Sequence, residues 1–128
     1  MARLIYLDTH VVAWLYGLGP ASLSEPAREL VEEAEELRCS PMVRLELEYL
    51  FEVGRTTARA VEVLDALNAA TGLTLCDAPF AAVARAAEGY SWTRDPFDRL
   101  IAAQASLFDA PLVTKDEPLH RHYARAVW

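Results

Sequence analysis

The chain has 128 residues, of which 53% are hydrophobic and 24% charged, an ordinary globular mixture that excludes disorder and fits one domain over residues 1–128. Twelve basic residues against nineteen acidic give a net charge of −7, which excludes a general nucleic-acid-binding coat and leaves room only for a local basic rim. No apolar run approaches the ~20 residues that cross a bilayer, and the apolar start is too short for a signal peptide and is interrupted by Asp8.

A strand is predicted at residues 4–7 and a helix over 9–18, ended by Gly17, Gly19 and Pro20. Ser24 caps a second helix, with Glu25 and Pro26 in its first turn, running to about Glu36. Residues 37–40 read as a strand, and Ser40 with Pro41 opens a third helix that closes near Gly54. A fourth helix is expected from about Thr57 to Ala70, with Gly72 at its end. Residues 73–76 form a strand, Asp77 and Pro79 open a fifth helix that fades at Gly89, and Asp95 with Pro96 opens an alanine-rich sixth to about Phe108. Then come a strand at 111–114, a short helical stretch at 118–123 and a last short strand at 126–128. Strands alternating with helices indicate a parallel sheet covered on both faces. Cys39 and Cys76 fall in strand-like segments without metal-ligand spacing, so two buried thiols in a reducing cytoplasm are expected.

In an open parallel sheet, ligands bind beyond the carboxyl ends of the strands. The first strand runs straight into Asp8, and the strand at 111–114 reaches Asp116 two residues later. Each of these acids is also a natural helix cap. In the third helix, Met42, Val43, Tyr49, Leu50 and Val53 make an apolar stripe that encloses Glu46. A carboxylate there is costly unless a backbone group, an Arg or another partner compensates it. Glu48 and Glu52 fall on the polar face, where Arg44 and Glu48 are spaced as a surface pair. The sixth helix begins Arg94-Asp95-Pro96-Phe97-Asp98-Arg99, with Asp95 placed as N-cap and Asp98 in the first turn. Asp98 shares a face with Ile101, Ala102 and Ala105, whose small size lets the helix sit close to the sheet.

If the sheet gathers Asp8, Glu46, Asp98 and Asp116, several like charges meet in one cleft. Such a cluster either retains protons or binds a cation. Oxygen donors without His or Cys select hard ions, Mg²⁺ or Mn²⁺. Ions of that kind activate water and neutralise charge on a phosphoryl group, which points to metal-assisted phosphodiester hydrolysis.

The segments Tyr6-Leu7-Asp8-Thr9-His10-Val11, Ser40-Pro41-Met42-Val43-Arg44-Leu45-Glu46, Trp92-Thr93-Arg94-Asp95-Pro96-Phe97-Asp98-Arg99 with the alanine-rich run after it, and Leu112-Val113-Thr114-Lys115-Asp116 carry a family resemblance. From Leu4 to Trp128 the chain resembles a PIN domain, and more closely the VapC-type ribonuclease toxins of type II toxin–antitoxin pairs. The resemblance implies a three-layer α/β/α sandwich with a mainly parallel central sheet. It implies Asp8, Glu46, Asp98 and Asp116 as the acids that bind Mg²⁺ or Mn²⁺ and serve catalysis, with Asp95 as an extra acid. It also implies Thr9 and Thr114 as hydroxyls beside them. The implied reaction cuts RNA to 5′-phosphate and 3′-hydroxyl ends, and the implied partners are a small antitoxin protein and a second copy of the chain. Family members often carry Trp before the helix acid, where this chain has Leu45.

Arg94, Arg99 and Lys115 flank the acids and offer contacts to an RNA backbone, or pairs with nearby carboxylates. Packing is the expected role of His10, and core or interface positions that of Trp14, Trp92 and Trp128. The amphipathic segments at 30–37 and 49–67 have apolar residues to spare for dimerisation. Rival functions are a nuclease of the same fold acting on DNA or in RNA processing, and a non-catalytic interaction module. No Gly-rich phosphate loop is present, which argues against a nucleotide-dependent enzyme.

Overall fold

The computed structural model describes residues 3–128. Five strands form one sheet: β1 (Leu4–Leu7), β2 (Glu36–Cys39), β3 (Thr74–Leu75), β4 (Leu112–Val113) and β5 (Ala126–Val127). Their order is β3-β2-β1-β4-β5, and every pairing is parallel. Side chains alternate between the faces of a strand, yet Ile5, Tyr6 and Leu7 are all at most 1% exposed, so both faces of β1 are covered. The cover comes from α1 (Thr9–Leu18), α2 (Glu25–Glu33), α3 (Pro41–Glu52), α4 (Ala60–Thr71), α5 (Phe80–Ala87), α6 (Pro96–Ser106) and α7 (Glu117–His122). This is the α/β/α sandwich expected from the sequence.

Local chemistry sets most helix ends. Asp8, Ser24, Ser40, Asp95 and Asp116 each accept a backbone N–H of the helix that follows them. Gly72 ends α4 in the left-handed conformation, at φ 77°.

Besides changes of one or two residues at other ends, two helix boundaries shift further. The second helix ends at Glu33 instead of about Glu36, because Ala34 is extended and Glu36 pairs with Leu4 in the sheet. Parallel pairing to the central strand outweighs the helix propensity of this acidic stretch. The fourth helix starts at Ala60 instead of Thr57, and its local cap, Arg59, makes no side-chain hydrogen bond. Glu48 of α3 takes that role from a distance, accepting the Ala60 N–H at 3.2 Å. Glu48 pairs with Arg59, at 2.5 Å, rather than with the expected Arg44.

The expected stripe on the third helix also needs correction. The buried face of α3 is Val43, Leu47 and Leu50, whereas Tyr49 and Val53 are about half exposed. Glu46 therefore sits at the edge of the packed face, half-buried. The amphipathic segment expected at 49–67 is likewise divided between α3 and α4, and the one at 30–37 between α2 and β2.

Cys39 and Cys76 are buried and free, as expected. The Tyr6 hydroxyl donates to the Cys76 sulfur at 2.9 Å. Burial pushes the Cys39 thiol up to about 12, which keeps it protonated and unreactive.

Candidate active site

The site is built on the adjacent ends of β1 and β4. Leu7 pairs with Val113, so the residues that follow, Asp8 and Thr114, emerge side by side. The Asp8 N–H donates to the Val113 carbonyl at 3.0 Å. The Asp8 carboxylate, 4% exposed, accepts from the Thr9 N–H at 2.8 Å and from the Thr114 hydroxyl at 2.7 Å. The Thr114 oxygen in turn accepts the Asp116 N–H at 3.0 Å, and Asp116 caps α7 through the Leu119 N–H at 3.0 Å. One hydroxyl thus ties together the two acids at the strand ends.

Two more acids reach this point from helices. Glu46 on α3 accepts the Thr9 hydroxyl at 2.5 Å. Asp98 lies in the first turn of α6, half-buried, and takes part in none of the hydrogen bonds that fix the other three. Burial pushes its carboxyl up to about 7, and the negative charges of Asp95, Asp8, Asp116 and Glu46 push the same way. Burial likewise raises Asp8, against the bonds from Thr114 and Thr9. Glu46 is raised by burial, against its Thr9 bond, with the charges of Asp8 and Asp95 adding to the rise. Asp98 feels the charges of the other three, which places all four in one electrostatic unit.

Among the described residues, these carboxylates do not already form a closed three-ligand cage. Asp8 and Asp116 are turned toward helix caps, and mutual repulsion opposes closer approach without a counter-charge. The donor chemistry nevertheless suits a hard divalent cation: four carboxylates, two hydroxyls, no thiolate.

Two recesses open on the acids. One, of 320 Å³, is lined by Asp8, His10, Trp14, Lys115 and Asp116. The other, of 640 Å³, includes His10, Glu46, Arg55 and Asp95 in its walls. His10, exposed, belongs to both. A separate depression of 460 Å³ between α3 and α4 is lined by Arg44, Leu45, Glu48 and Arg59 among others, and none of the four clustered acids reaches it.

The sequence matches the PIN domain over residues 5–125. The chain belongs to the PIN-domain family. It is 37% identical over 122 residues to Ribonuclease VapC22 of Mycobacterium tuberculosis, covering 92% of each protein, and is a VapC-type PIN-domain protein. Its fold is similar to that of VapBC2 from Rickettsia felis bound to a promoter DNA fragment, with a TM-score of 0.66 at 19% identity, covering 97% of this chain and 96% of that one. VapBC-1 from nontypeable Haemophilus influenzae is similar at a TM-score of 0.65 and 15% identity, covering 98% of this chain and 96% of that one.

The other candidates divide within this PIN domain. Asp95 is exposed and caps α6 by accepting the Phe97 N–H at 2.9 Å, while its charge adds to the acid cluster. Thr9 donates its hydroxyl to Glu46 and Thr114 donates its own to Asp8. Arg99 is engaged elsewhere: its guanidinium donates to the carbonyls of Ala87 at 2.8 Å, Thr93 at 3.4 Å and Glu88 at 3.4 Å. It fastens α6 to the end of α5 and the loop between them, so an RNA contact from Arg99 finds no support. Arg94 donates to the Ser91 carbonyl at 3.0 Å.

His120 also reaches the site. Its Nε2 lies 2.6 Å from the Thr114 carbonyl, and so braces the residue that bridges Asp8 and Asp116. A His four residues after an N-capping Asp, one turn into a short helix, is the only signal for this in the sequence.

Proposed function

We propose that this PIN-domain protein is an Mg²⁺- or Mn²⁺-dependent endoribonuclease, the toxin of a type II toxin–antitoxin pair acting in the cytoplasm. The observation that supports this most is Asp98, a half-buried carboxyl raised to about 7 by burial and by four other acids. A fold that needed these acids only for stability would pair them with cations, as it pairs Glu48 with Arg59. Similarity to Ribonuclease VapC22 supports RNA as the substrate.

Asp8, Asp98 and Asp116 would hold the cation, with Glu46 completing the site. When bound, the cation supplies an activated water and neutralises charge at phosphorus. Thr114 fixes the Asp8 carboxylate, and Thr9 fixes Glu46, so neither acid has to be ordered when RNA arrives. Glu46 would complete the site or orient the attacking water. Attack by water leaves the ribose 2′-hydroxyl out of the chemistry, so products carry 5′-phosphate and 3′-hydroxyl ends.

An antitoxin whose tail covers the acidic cleft, and a homodimer, complete the reading. The half-exposed Leu45, Tyr49 and Val53 on α3 support a protein contact of this kind.

The test is cleavage of an RNA oligonucleotide by the purified chain with Mg²⁺, Mn²⁺ or EDTA, beside the matching DNA. Cleavage of RNA alone, abolished by EDTA and by Asp98→Asn, is expected. A cyclic phosphate product, equal cleavage of DNA, or full activity in EDTA would each contradict the reading.

A further inference from the structure

Beyond the acids, the 320 Å³ recess continues into a second hollow of 200 Å³, and the two share Trp14 and Lys115. Trp128 lines the second hollow and meets Trp14 edge-to-face, with ring centres 5.7 Å apart. Both indoles are partly exposed, although Trp128 also packs against the core with part of its surface. The Lys115 ammonium stands 5.8 Å from the Trp128 ring centre, within cation–π range.

Lys115 is unusual in this protein. It is the chain's single lysine beside eleven arginines, and five of those arginines are in salt bridges. Lys115 makes no salt bridge among the described residues, although Asp116 is its neighbour in sequence. A free cation beside two indole rings, one step from a cluster of acids, is a poor device for stability. Buried apolar packing would hold Trp14 better, and a carboxylate partner would hold Lys115 better.

A nucleotide beside the cleaved bond has matching needs. Its phosphate is an anion that must approach acids, and its base has a flat face to stack. Aromatic rings with a cation at the rim are the chemistry that holds single-stranded nucleic acid without reading its sequence. We propose that Trp14, Trp128 and Lys115 form a nucleotide subsite of the cleft, in which an indole stacks on the base flanking the scissile phosphate and Lys115 contacts the backbone. The proposal rests on the ribonuclease reading above and adds the part of the substrate that this side of the cleft grips. The acids and the local cation divide the work: the acids serve the reacting phosphate, and Lys115 offsets the repulsion a chain of net charge −7 presents to RNA.

The test measures binding and KM for a labelled oligoribonucleotide with the full chain, comparing Trp14→Leu, Trp128→Leu and Lys115→Gln. Leucine keeps an apolar side chain but has no ring to stack, and circular dichroism with thermal unfolding verifies that each variant is folded. Each tryptophan variant is expected to weaken binding about tenfold, within the range that stacking one base contributes. Lys115→Gln is expected to lower the slope of log affinity against log salt by about 0.7, the value for one phosphate contact on a single strand. An oligonucleotide lacking the base next to the cleaved bond should bind the wild type more weakly and the tryptophan variants no more weakly still. Folded variants with wild-type KM, affinity and salt slope on an RNA that the chain does cleave would overturn the subsite and leave the ribonuclease reading intact. A chain that neither binds nor cleaves RNA would overturn both.

Discussion

Glu46 and Glu48 lie two residues apart on α3 and inhabit opposite electrostatic surroundings. Glu48 is held below the usual carboxylate range by the Arg59 guanidinium and the Ala60 N–H, and it ties α3 to the start of α4. Glu46 is raised by burial and faces other acids, with one threonine hydroxyl as its hydrogen-bond donor. Other acids repeat the contrast. Asp109 and Glu35, like Glu48, have arginine partners, whereas the acids at the ends of β1 and β4 and the start of α6 have one another. Glu48 is neutralised where it serves the fold, and on the proposed function the clustered acids repel one another until something cationic arrives.

The largest expected effect comes from removing a clustered acid. Asp98→Asn or Asp8→Asn should lower RNA cleavage by about 100-fold or more, the scale of losing several kcal/mol of charge stabilisation in the transition state. Single-turnover cleavage with each variant measures it, and wild-type rates in both would erase the distinction between the two groups of acids.

Thr114→Val should be next. It removes the hydroxyl that Asp8 accepts from and the oxygen that accepts the Asp116 N–H, while preserving the β-branched shape. Groups that orient ligating side chains are typically worth 10–100-fold in activity or metal affinity, so a loss in that range is expected. Thr9→Val should act through Glu46 in the same way.

Stability should depend on pH through the cluster. Asp98 takes up its proton near 7 in the fold and near 3.8 when unfolded, so the folded state holds the extra proton between those values. The stabilisation this gives is complete below about 3.8 and is lost as pH rises through 7. In EDTA, the chain should therefore lose roughly 1–2 kcal/mol from this group between pH 5 and 8, allowing for solvent screening of a side chain that is partly exposed. Denaturant midpoints across pH measure it. Asp98→Asn should flatten the dependence, and Mg²⁺ should restore stability at the alkaline end, because binding to the folded state alone adds to its stability. A wild-type profile as flat as that of the variant would contradict the shift.

The smallest effect belongs to Glu48→Gln. It should leave cleavage within about twofold of wild type, since the Glu48 bonds run to Arg59 and the Ala60 N–H rather than to the clustered acids. A loss comparable to that of Asp98→Asn would place Glu48, not Glu46, among the working acids.

Much of this was legible in the sequence because the signals are local. Asp8, Ser40 and Asp95 cap the helices they precede, and Asp8 and Asp116 follow strands whose apolar character identifies them. The missing parts depend on contacts between distant residues. Glu48 capping α4 from another helix has no local signature, and neither does the capture of Glu36 by β1. Glu46 could be singled out by its spacing, but its position at the rim of the packed face follows from where α3 meets α1 and α6. The position of Arg99 beside Asp98 suits an RNA contact or a carboxylate pair equally, and only the fold reveals that its guanidinium turns to the end of α5.

Calorimetric titration of Mn²⁺ into the metal-free chain near pH 7, repeated with Asp98→Asn and Glu48→Gln, tests the shared acidic site most directly. One site should appear in the wild type and in Glu48→Gln, with protons released as Asp98 ionises, and Asp98→Asn should weaken it at least tenfold and reduce the proton release. Equal binding by all three proteins would mean that these acids do not share a cation, and binding without proton release in the wild type would contradict the raised Asp98 carboxyl.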